Sequence, residues 1–227
     1  MRALHTRLMI VMLAMILMIG GTMGCGPKID STAPFFIQFR GFAYSIDGDD
    51  ISITRYLGKE RDVIIPDKIN DLSVTSIGCS AFHGCYKLKS VVVPWSVINI
   101  CDSAFRDCGA LEKIIMPDGV KTIGSSAFYG CLNLKSVILP SSVVHIGSKA
   151  FVACKSLTSV TIHDGVETIG EHAFVGCDNL TSITIPGSVT GIGSQVFNGG
   201  YDITIGCYKD SYAHYYCITN GLKFELL

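Results

Sequence analysis

The sequence predicts a solenoid, in which short parallel β-strands and turns repeat in stacked rungs of 23 residues and both ends are capped. Three columns of identical residues recur at this interval, as stacked units that are too small to fold alone require. They are Ile77, Ile100, Ile123, Ile146, Ile169 and Ile192, then Phe82, Phe105, Phe128, Phe151, Phe174 and Phe197, and then Cys85, Cys108, Cys131, Cys154 and Cys177. A stack of this kind usually offers a binding surface rather than a catalytic pocket.

Each rung is expected to contain a strand, a turn and a second extended segment. Val91 and Val93 alternate with outward residues, which is the period of a strand with one face in the core. Pro94 ends the strand and turns the chain, and the residues from 97 to 100 suit the second extended segment. A glycine column allows a tight corner. The Ser-Ala-Phe or Lys-Ala-Phe that follows is expected to form one helical turn that places Phe in the core.

Four regions follow from this pattern. They are a signal peptide at 1–25, a linker and N-terminal cap at 26–76, the repeat solenoid at 77–199 and a C-terminal cap at 200–227. Within the N-terminal cap, an Asp47-Gly48 turn predicts a β-hairpin, and residues 63–66 resemble a diverged rung. In the C-terminal cap, residues 211–221 predict a short helix and residues 222–226 an edge strand.

The first 25 residues predict export. Twelve apolar residues, from 8 to 19, follow a short basic segment, and this run is shorter than the ~20 residues of a membrane span. Small residues and Cys25 then follow, which resembles the bacterial lipoprotein signal and implies a lipid on Cys25. Thr22 stands where that signal usually has Leu, and Thr22 with Gly24 also suits an ordinary signal peptidase. Plain secretion and an uncleaved anchor therefore remain alternatives.

The chain has ten cysteines, which in an exported protein usually indicate disulfides. One thiol in each rung, always at the same place, instead predicts a column of reduced and buried side chains. Cys79, Cys101, Cys207 and Cys217 lie outside this column. The pairs Cys79–Cys101 and Cys207–Cys217 are the candidates for disulfide bridges.

The repeat resembles that of a known family. Leu88-x-x-Val91-x-Val93 is a leucine-rich-repeat strand signature, and an Ile-Gly-x-x-Ala-Phe-x-x-Cys-x-x-Leu segment precedes it in the rungs. This form resembles the BspA-type, or Treponema-type, leucine-rich repeat proteins over about residues 50–227, including a similar closing segment from Gly206. The resemblance implies a bacterial surface or secreted protein that binds host proteins or other cells, and it supplies no catalytic residues.

The outward residues of the strands form the predicted partner-binding face. Val92, Ile115 and Ile138 form an apolar stripe beside lysine and glutamate side chains, and hydroxyl groups continue it. Ordinary β-propensity explains the same residues without a ligand. Trp95, the only tryptophan, is a candidate anchor or a cover for the apolar end of the stack. The predicted face consists of Lys89, Val92, Glu112, Lys113, Ile115, Lys135, Ile138, Thr161, Thr184 and Trp95.

The partners expected are extracellular proteins or glycans. The formal net charge of −1 argues against nucleic acid, which requires a concentrated basic face. We expect no cofactor, because single thiols in a line do not converge on a metal and the histidines share no column. Calcium at Asp47, Asp49 and Asp50 is a weak alternative to a turn. A self-associating envelope component and a thiol enzyme that uses the cysteines outside the column are the rival functions.

Overall fold

The structure is a computed structural model that describes residues 37–198 and 202–227. The residues from Gln38 to Leu227 form one compact unit. The predicted signal peptide, Cys25 and most of the linker lie outside the described residues.

The N-terminal cap contains an antiparallel hairpin and a diverged rung. Its strands are β1 (Ile37–Phe39), β2 (Phe42–Asp47), β3 (Asp50–Tyr56), β4 (Asp62–Ile64), β5 (Lys68–Ile69) and β6 (Leu72–Ile77). β2 and β3 pair around the turn that joins Asp47 to Asp50. β4 and β6 take the places of the first and second strand of a rung, since they pair in parallel with the corresponding strands that follow.

Each repeat contributes two short strands, and the proline turn separates them. The strands alternate as β7 (Ser90–Val92), β8 (Asn99–Ile100), β9 (Lys113–Ile115), β10 (Thr122–Ile123), β11 (Ser136–Ile138), β12 (His145–Ile146), β13 (Ser159–Thr161), β14 (Thr168–Ile169), β15 (Ser182–Ile185) and β16 (Gly191–Ile192). The register confirms the 23-residue stacking, since Ile123 lies beside Ile100 on one side and Ile146 on the other.

The C-terminal cap contains β17 (Thr204–Cys207), helix α1 (Tyr212–Asn220) and β18 (Lys223–Leu226). Ser211 caps the helix by accepting a hydrogen bond from the backbone N–H of His214, and Gly221 ends it in the left-handed conformation. α1 contacts β16, β17 and β18. The predicted helix and edge strand are therefore both present.

In the described residues, the longest sheet combines the second strands of the rungs with strands of the N-terminal cap. Its ten strands run in the order β1-β2-β3-β6-β8-β10-β12-β14-β16, with β5 beside β6. The first strands form three shorter sheets, β4-β7-β9, β11-β13 and β15-β17-β18. The backbone alignment continues between β9 and β11, because the N–H of Lys135 still donates to the carbonyl of Glu112 at 3.3 Å.

The segment between rungs is a ladder of turns rather than the expected helical turn. Alternate N–H groups bond within the rung and to the next rung: Ala81 donates to the carbonyl of Gly78 at 3.1 Å, and Phe82 donates to that of Ala104 at 2.7 Å. Ser80 has a φ of 58° and Gly84 one of 71°. This alternation lets every second N–H reach the neighbouring rung, which a helix would not allow.

The core consists of continuous columns of side chains. The rings of Phe105, Phe128, Phe151 and Phe174 stack with centroids 5.2–5.3 Å apart. Four thiols of the cysteine column are buried, and each donates to the phenylalanine carbonyl 26 residues earlier, as Cys131 does to Phe105 at 3.3 Å. Burial of so many large apolar side chains supplies the driving force for folding.

Candidate partner-binding face

The first strands of the rungs present the predicted face to solvent. In β9 and β11, only the central residue is buried, so the residues on either side of it point outward. Val91 and Val93 are 1% and 3% exposed. The pleat therefore places position 92 and its equivalents on one continuous outer surface.

An apolar stripe runs across four strands on this surface. Ile64, Val92 and Ile115 lie side by side in register, and Ile138 follows on β11. Ile64 is 76% exposed, Ile115 45% and Ile138 64%, while Val92 is half-buried. Four strands spaced ~4.8 Å apart give the stripe a length of about 14 Å.

Ile64 is a member of the stripe that sequence reasoning missed. The sequence predicts a diverged rung at Val63-Ile64-Ile65-Pro66 but does not fix its position in the register, because residues 68–75 depart from the repeat. Alignment of Pro66 with Pro94 is the signal available in the sequence. It places Ile64 beside Val92.

A row of three charges borders the stripe. The ammonium groups of Lys89 and Lys135 lie 3.3 and 2.8 Å from the two carboxylate oxygens of Glu112. Hydrogen bonds from Lys135 and Lys89 lower the pKa of Glu112, so its carboxylate stays ionised. The row carries a net positive charge, and Lys113 adds an exposed cation between this row and the stripe.

Hydroxyl groups extend the face toward the C-terminal cap. Thr161 lies beside Ile138, and Thr184 lies beside Gly206. Thr161 and Thr184 are exposed, and the hydroxyl of Thr158 donates to the carbonyl of Lys135 at 3.1 Å. The outer surface therefore changes from apolar to hydroxyl-bearing between β11 and β13.

Trp95 lies on the turn after β7 rather than on the strand. Its side chain is 69% exposed, so it does not cover the end of the core. The backbone of this turn packs tightly against the next rung, since a Cβ on Gly119 would lie 3.0 Å from the carbonyl oxygen of Trp95. Trp95 is thus displayed by a fixed turn beside the stripe-bearing strands.

The cysteine column contains thiols of two kinds, because the hydrogen bond with Cys108 lowers the pKa of the half-buried Cys85, whereas thiols deeper in the column have raised values. Burial raises the pKa of Cys131 to about 12 and also raises that of Cys154. Cys79, Cys101, Cys207 and Cys217 are free thiols in the structure. Of these, Cys79 is exposed and Cys101 half-buried, while burial raises the pKa of Cys217 to about 12.

Other chemistry is sparse on the part of the chain that the structure describes. Residues 37–198 and 202–227 contain no group of three or more His, Cys, Asp or Glu side chains arranged to hold a metal ion. The same residues contain no helix that is long and apolar enough to cross a membrane.

A groove at the N-terminal cap adds a feature that the sequence did not predict. It has a volume of about 200 Å³, and all three residues of β4 are among those that line it. Three aromatic side chains, Phe39, Phe42 and Tyr56, line it together with the carboxylates of Glu60 and Asp62. The stripe therefore leads to a concave, partly acidic site.

The sequence and fold both match known proteins. A family model described as the BspA type leucine rich repeat region matches residues 75–204 with six copies. The crystal structure of a T. pallidum leucine-rich repeat protein is 31% identical with a TM-score of 0.69, and the match covers 82% of this chain and 96% of that one. No curated protein matches the chain.

Two longer proteins share the fold. A leucine-rich cell surface protein of Faecalibacterium prausnitzii is 30% identical with a TM-score of 0.60, over 81% of this chain and 56% of that protein. The pneumococcal vaccine antigen PcpA is 22% identical with a TM-score of 0.67, over 79% of this chain and 51% of PcpA. The chain thus spans little more than half of either protein.

Six repeat copies cover more than half of the chain, and the T. pallidum protein matches over nearly its whole length, so this chain belongs to the BspA-type leucine-rich repeat family.

Proposed function

We propose that the chain is an exported, cell-surface binding protein without enzymatic activity, and that it holds protein or glycan partners on the outer face of its first strands. The observation that carries the proposal is the apolar stripe of Ile64, Val92, Ile115 and Ile138. Large apolar side chains grouped on one surface and bordered by charges are typical of interaction sites.

The chemistry of the face defines the partner that it fits. Apolar groups of the partner would pack on the stripe, and acidic groups would approach Lys89, Lys113 and Lys135. Because the lysine rim is exposed, it contributes more to the association rate and specificity than to affinity. The hydroxyls of Thr161 and Thr184 suit hydrogen bonds to a polar ligand, including a glycan.

Surface display is supported by a relative and by the sequence. The F. prausnitzii protein is described as a cell surface protein. In this chain, Cys25 follows an apolar segment as the lipid-bearing cysteine of a lipoprotein does, so we propose that Cys25 is lipidated and anchors the protein. Metabolic labelling with a radioactive fatty acid should label the chain and not Cys25→Ser. Equal labelling of both would refute the anchor.

The binding face is tested by adding charge to it. The triple variant Val92→Asp, Ile115→Asp and Ile138→Asp should lose at least about tenfold in affinity for its ligand, because each carboxylate removes an apolar contact and repels acidic groups. Binding is measured first against a panel of extracellular-matrix proteins and glycans, and then by titration with the ligand found.

The matched control places three aspartates on the other side of the solenoid, at exposed or half-buried positions in the second strands or directly before one: Asn99→Asp, Thr122→Asp and Thr190→Asp. This control should bind as the parent does, and circular dichroism should show that both variants fold. Equal binding by the parent and the stripe variant would refute the proposed face.

A further inference from the structure

β4 is a sheet edge with backbone groups that no strand of the described residues pairs. Among residues 37–198 and 202–227, β4 pairs only with β7. On that side, the carbonyl of Arg61 accepts from Ser90 at 3.1 Å and the N–H of Ile65 donates to Val92 at 3.0 Å. Because backbone groups of a strand alternate in direction, Asp62 and Ile64 direct their N–H and C=O groups away from β7.

The edge exists because the two layers of the solenoid end at different places. Beyond β6, the ten-stranded sheet continues through β3, β2 and β1. The layer of first strands stops at β4. The position next to β4, opposite β3, therefore has no strand from the described residues, and the groove lies along this side of β4.

The groove supplies side-chain recognition beside that edge. Phe39, Phe42 and Tyr56 form its apolar wall, and the hydroxyl of Tyr56 donates to the carboxylate of Glu60. This hydrogen bond lowers the pKa of Glu60, which keeps its carboxylate ionised at neutral pH. Asp62 adds a second carboxylate, while the guanidinium of Arg40 lies 5.4 Å from the ring centre of Phe39. The carboxylates outnumber the guanidinium, so the groove carries net negative charge.

We propose that the β4 edge and this groove bind an extended, basic and apolar peptide segment of a partner protein by strand addition. The backbone groups of Asp62 and Ile64 that no described strand pairs specify a peptide backbone, because an extended chain satisfies alternate donors and acceptors together. The carboxylates of Glu60 and Asp62 specify a basic side chain beside an apolar one. This site shares Ile64 with the stripe but uses the backbone edge of β4 and the groove, and it does not rest on the function proposed above.

Only a short segment of a partner can pair with β4. β4 has three residues and Pro66 follows shortly after it, as is usual for edges that avoid unlimited strand pairing. A partner strand therefore gains few backbone hydrogen bonds, and contacts in the groove must supply the rest of the affinity.

A second copy of the chain is a poor occupant. Its own open edge in the same layer is β18, which carries α1 packed against it. Pairing of β18 with β4 would bring α1 toward the space that β3, β2 and β1 occupy in the other layer. A single extended segment meets no such obstacle.

The test uses full-length protein in detergent micelles and a fluorescent peptide, acetyl-Val-Lys-Val-Lys-Val-Lys-amide. Binding should slow exchange of the Ile64 amide hydrogen at least about tenfold, because the peptide provides the missing acceptor, and should leave the Val63 amide unchanged. A peptide with N-methyl groups on alternate amides keeps the side chains but loses backbone donors, and it should bind at least about tenfold more weakly.

Two protein variants separate backbone pairing from side-chain contact. Ile64→Pro removes the outward N–H together with the isoleucine side chain, a change that edge positions tolerate, and should weaken peptide binding about tenfold. Ile64→Thr keeps that N–H and should change affinity less than about threefold. The stripe variant Ile138→Asp should bind the peptide normally, so failure of this site and failure of the stripe are distinguishable.

Two results would overturn the proposal. One is peptide binding that leaves the Ile64 amide exchange unchanged. The other is binding that appears only after residues 30–36 are replaced by a Gly-Ser linker of equal length, since the chain itself would then occupy the edge.

Discussion

Neighbouring rungs pack closely at one column of glycines because glycine has no Cβ. The glycines at 124, 147, 170 and 193 do not have positive φ values, so their conformational freedom is not the reason for them. A Cβ on Gly147 would lie 2.5 Å from the carbonyl carbon of Gly124 and the nitrogen of Ser125. Both contacts are with backbone, which cannot rotate away.

We therefore expect Gly147→Ala to lower the free energy of unfolding by about 1–3 kcal/mol, as overpacking does. The measurement is equilibrium unfolding in urea. Gly191→Ala is the matched control, because its Cβ would meet only the Thr168 side chain at 3.4 Å. Gly191→Ala should change stability by less than about 1 kcal/mol, and equal losses in both variants would contradict the packing argument.

Another column requires a left-handed backbone. Gly84, Gly130 and Gly176 have φ values near 71°, whereas Ala153, in the equivalent position, has a φ of 58°. This conformation costs a residue with a side chain about 1–2 kcal/mol. Glycine avoids that cost but loses more backbone entropy on folding, which offsets part of the advantage.

Ala153→Gly should therefore raise the free energy of unfolding by up to about 1 kcal/mol. Gly176→Ala should lower it by a similar amount, although its Cβ would lie 3.6 Å from the nearest atoms and has room. Thermal and urea unfolding measure both changes. A lower free energy of unfolding in Ala153→Gly would contradict the argument that backbone strain at residue 153 destabilises the fold.

At the scale of an element, the ladder of turns between rungs determines the position of each thiol in the cysteine column. The ladder stacks the chain so that each thiol lies under a phenylalanine carbonyl of the preceding rung, at 3.0 Å for Cys108 and 3.2 Å for Cys154. Four of the thiols thus donate hydrogen bonds, and burial raises the pKa values of Cys131 and Cys154.

Stability should therefore fall at alkaline pH. A thiol of the unfolded chain ionises near the ordinary cysteine pKa of 9.0, whereas Cys131 in the fold ionises only near a pKa of about 12. Between these values the unfolded state binds fewer protons, so the free energy of unfolding falls by about 1.4 kcal/mol per pH unit for such a thiol. Below about pH 9 this contribution is fully present.

The measurement is urea unfolding between about pH 8 and 11 under reducing conditions, with Cys131→Ala as the comparison. The variant should be less stable at the lower pH, because it leaves a cavity, and should lose less stability as the pH rises. Parallel curves for the two proteins would contradict the assignment of the slope to Cys131.

The stacking of the elements could be predicted from the sequence because identical residues recur in register. The Ile and Phe columns fix which side chains touch, and Ser211 with Gly221 marks the ends of α1. The turn ladder could not be predicted. A Ser-Ala-Phe segment favours a helical turn locally, whereas hydrogen bonds to the next rung decide the conformation of Ser80 and its equivalents.

The candidate site was predictable in part for the same reason. The outward positions of the repeated strands follow from alternation, so the stripe could be placed from Val92 to Ile138. Ile64 and the groove depend on how the diverged first rung meets the hairpin. Phe39 and Glu60 converge there without any spacing that the repeat defines.

At the scale of the molecule, neighbouring rungs supply each other's contacts, so stability should be divisible into whole units. Removal of residues 124–146 joins Ile123 to Gly147, which reproduces the Ile-Gly step at Ile146 and Gly147. We expect this shortened chain to fold, with strand content by circular dichroism and a cooperative but lower unfolding midpoint.

The control deletion removes residues 127–146, which is not a whole rung and shifts every column downstream. It should unfold less cooperatively and at a lower midpoint than the whole-rung deletion, because Phe and Cys side chains on the two sides of the junction would be out of register by three residues. If both deletions fold equally well, the columns are not what specifies the structure.

The two ends of the solenoid stop in different ways. At the N-terminal end, the additional strands β1, β2 and β3 belong to the ten-stranded sheet. At the C-terminal end, the additional strands β17 and β18 belong to the layer of first strands, and α1 packs against them. The two ends therefore do not match as faces for growth of molecules into fibres, even though β4 and β18 are strand edges among the described residues. Dense arrays of this protein are therefore expected to remain separate molecules, each with the proposed partner-binding face exposed.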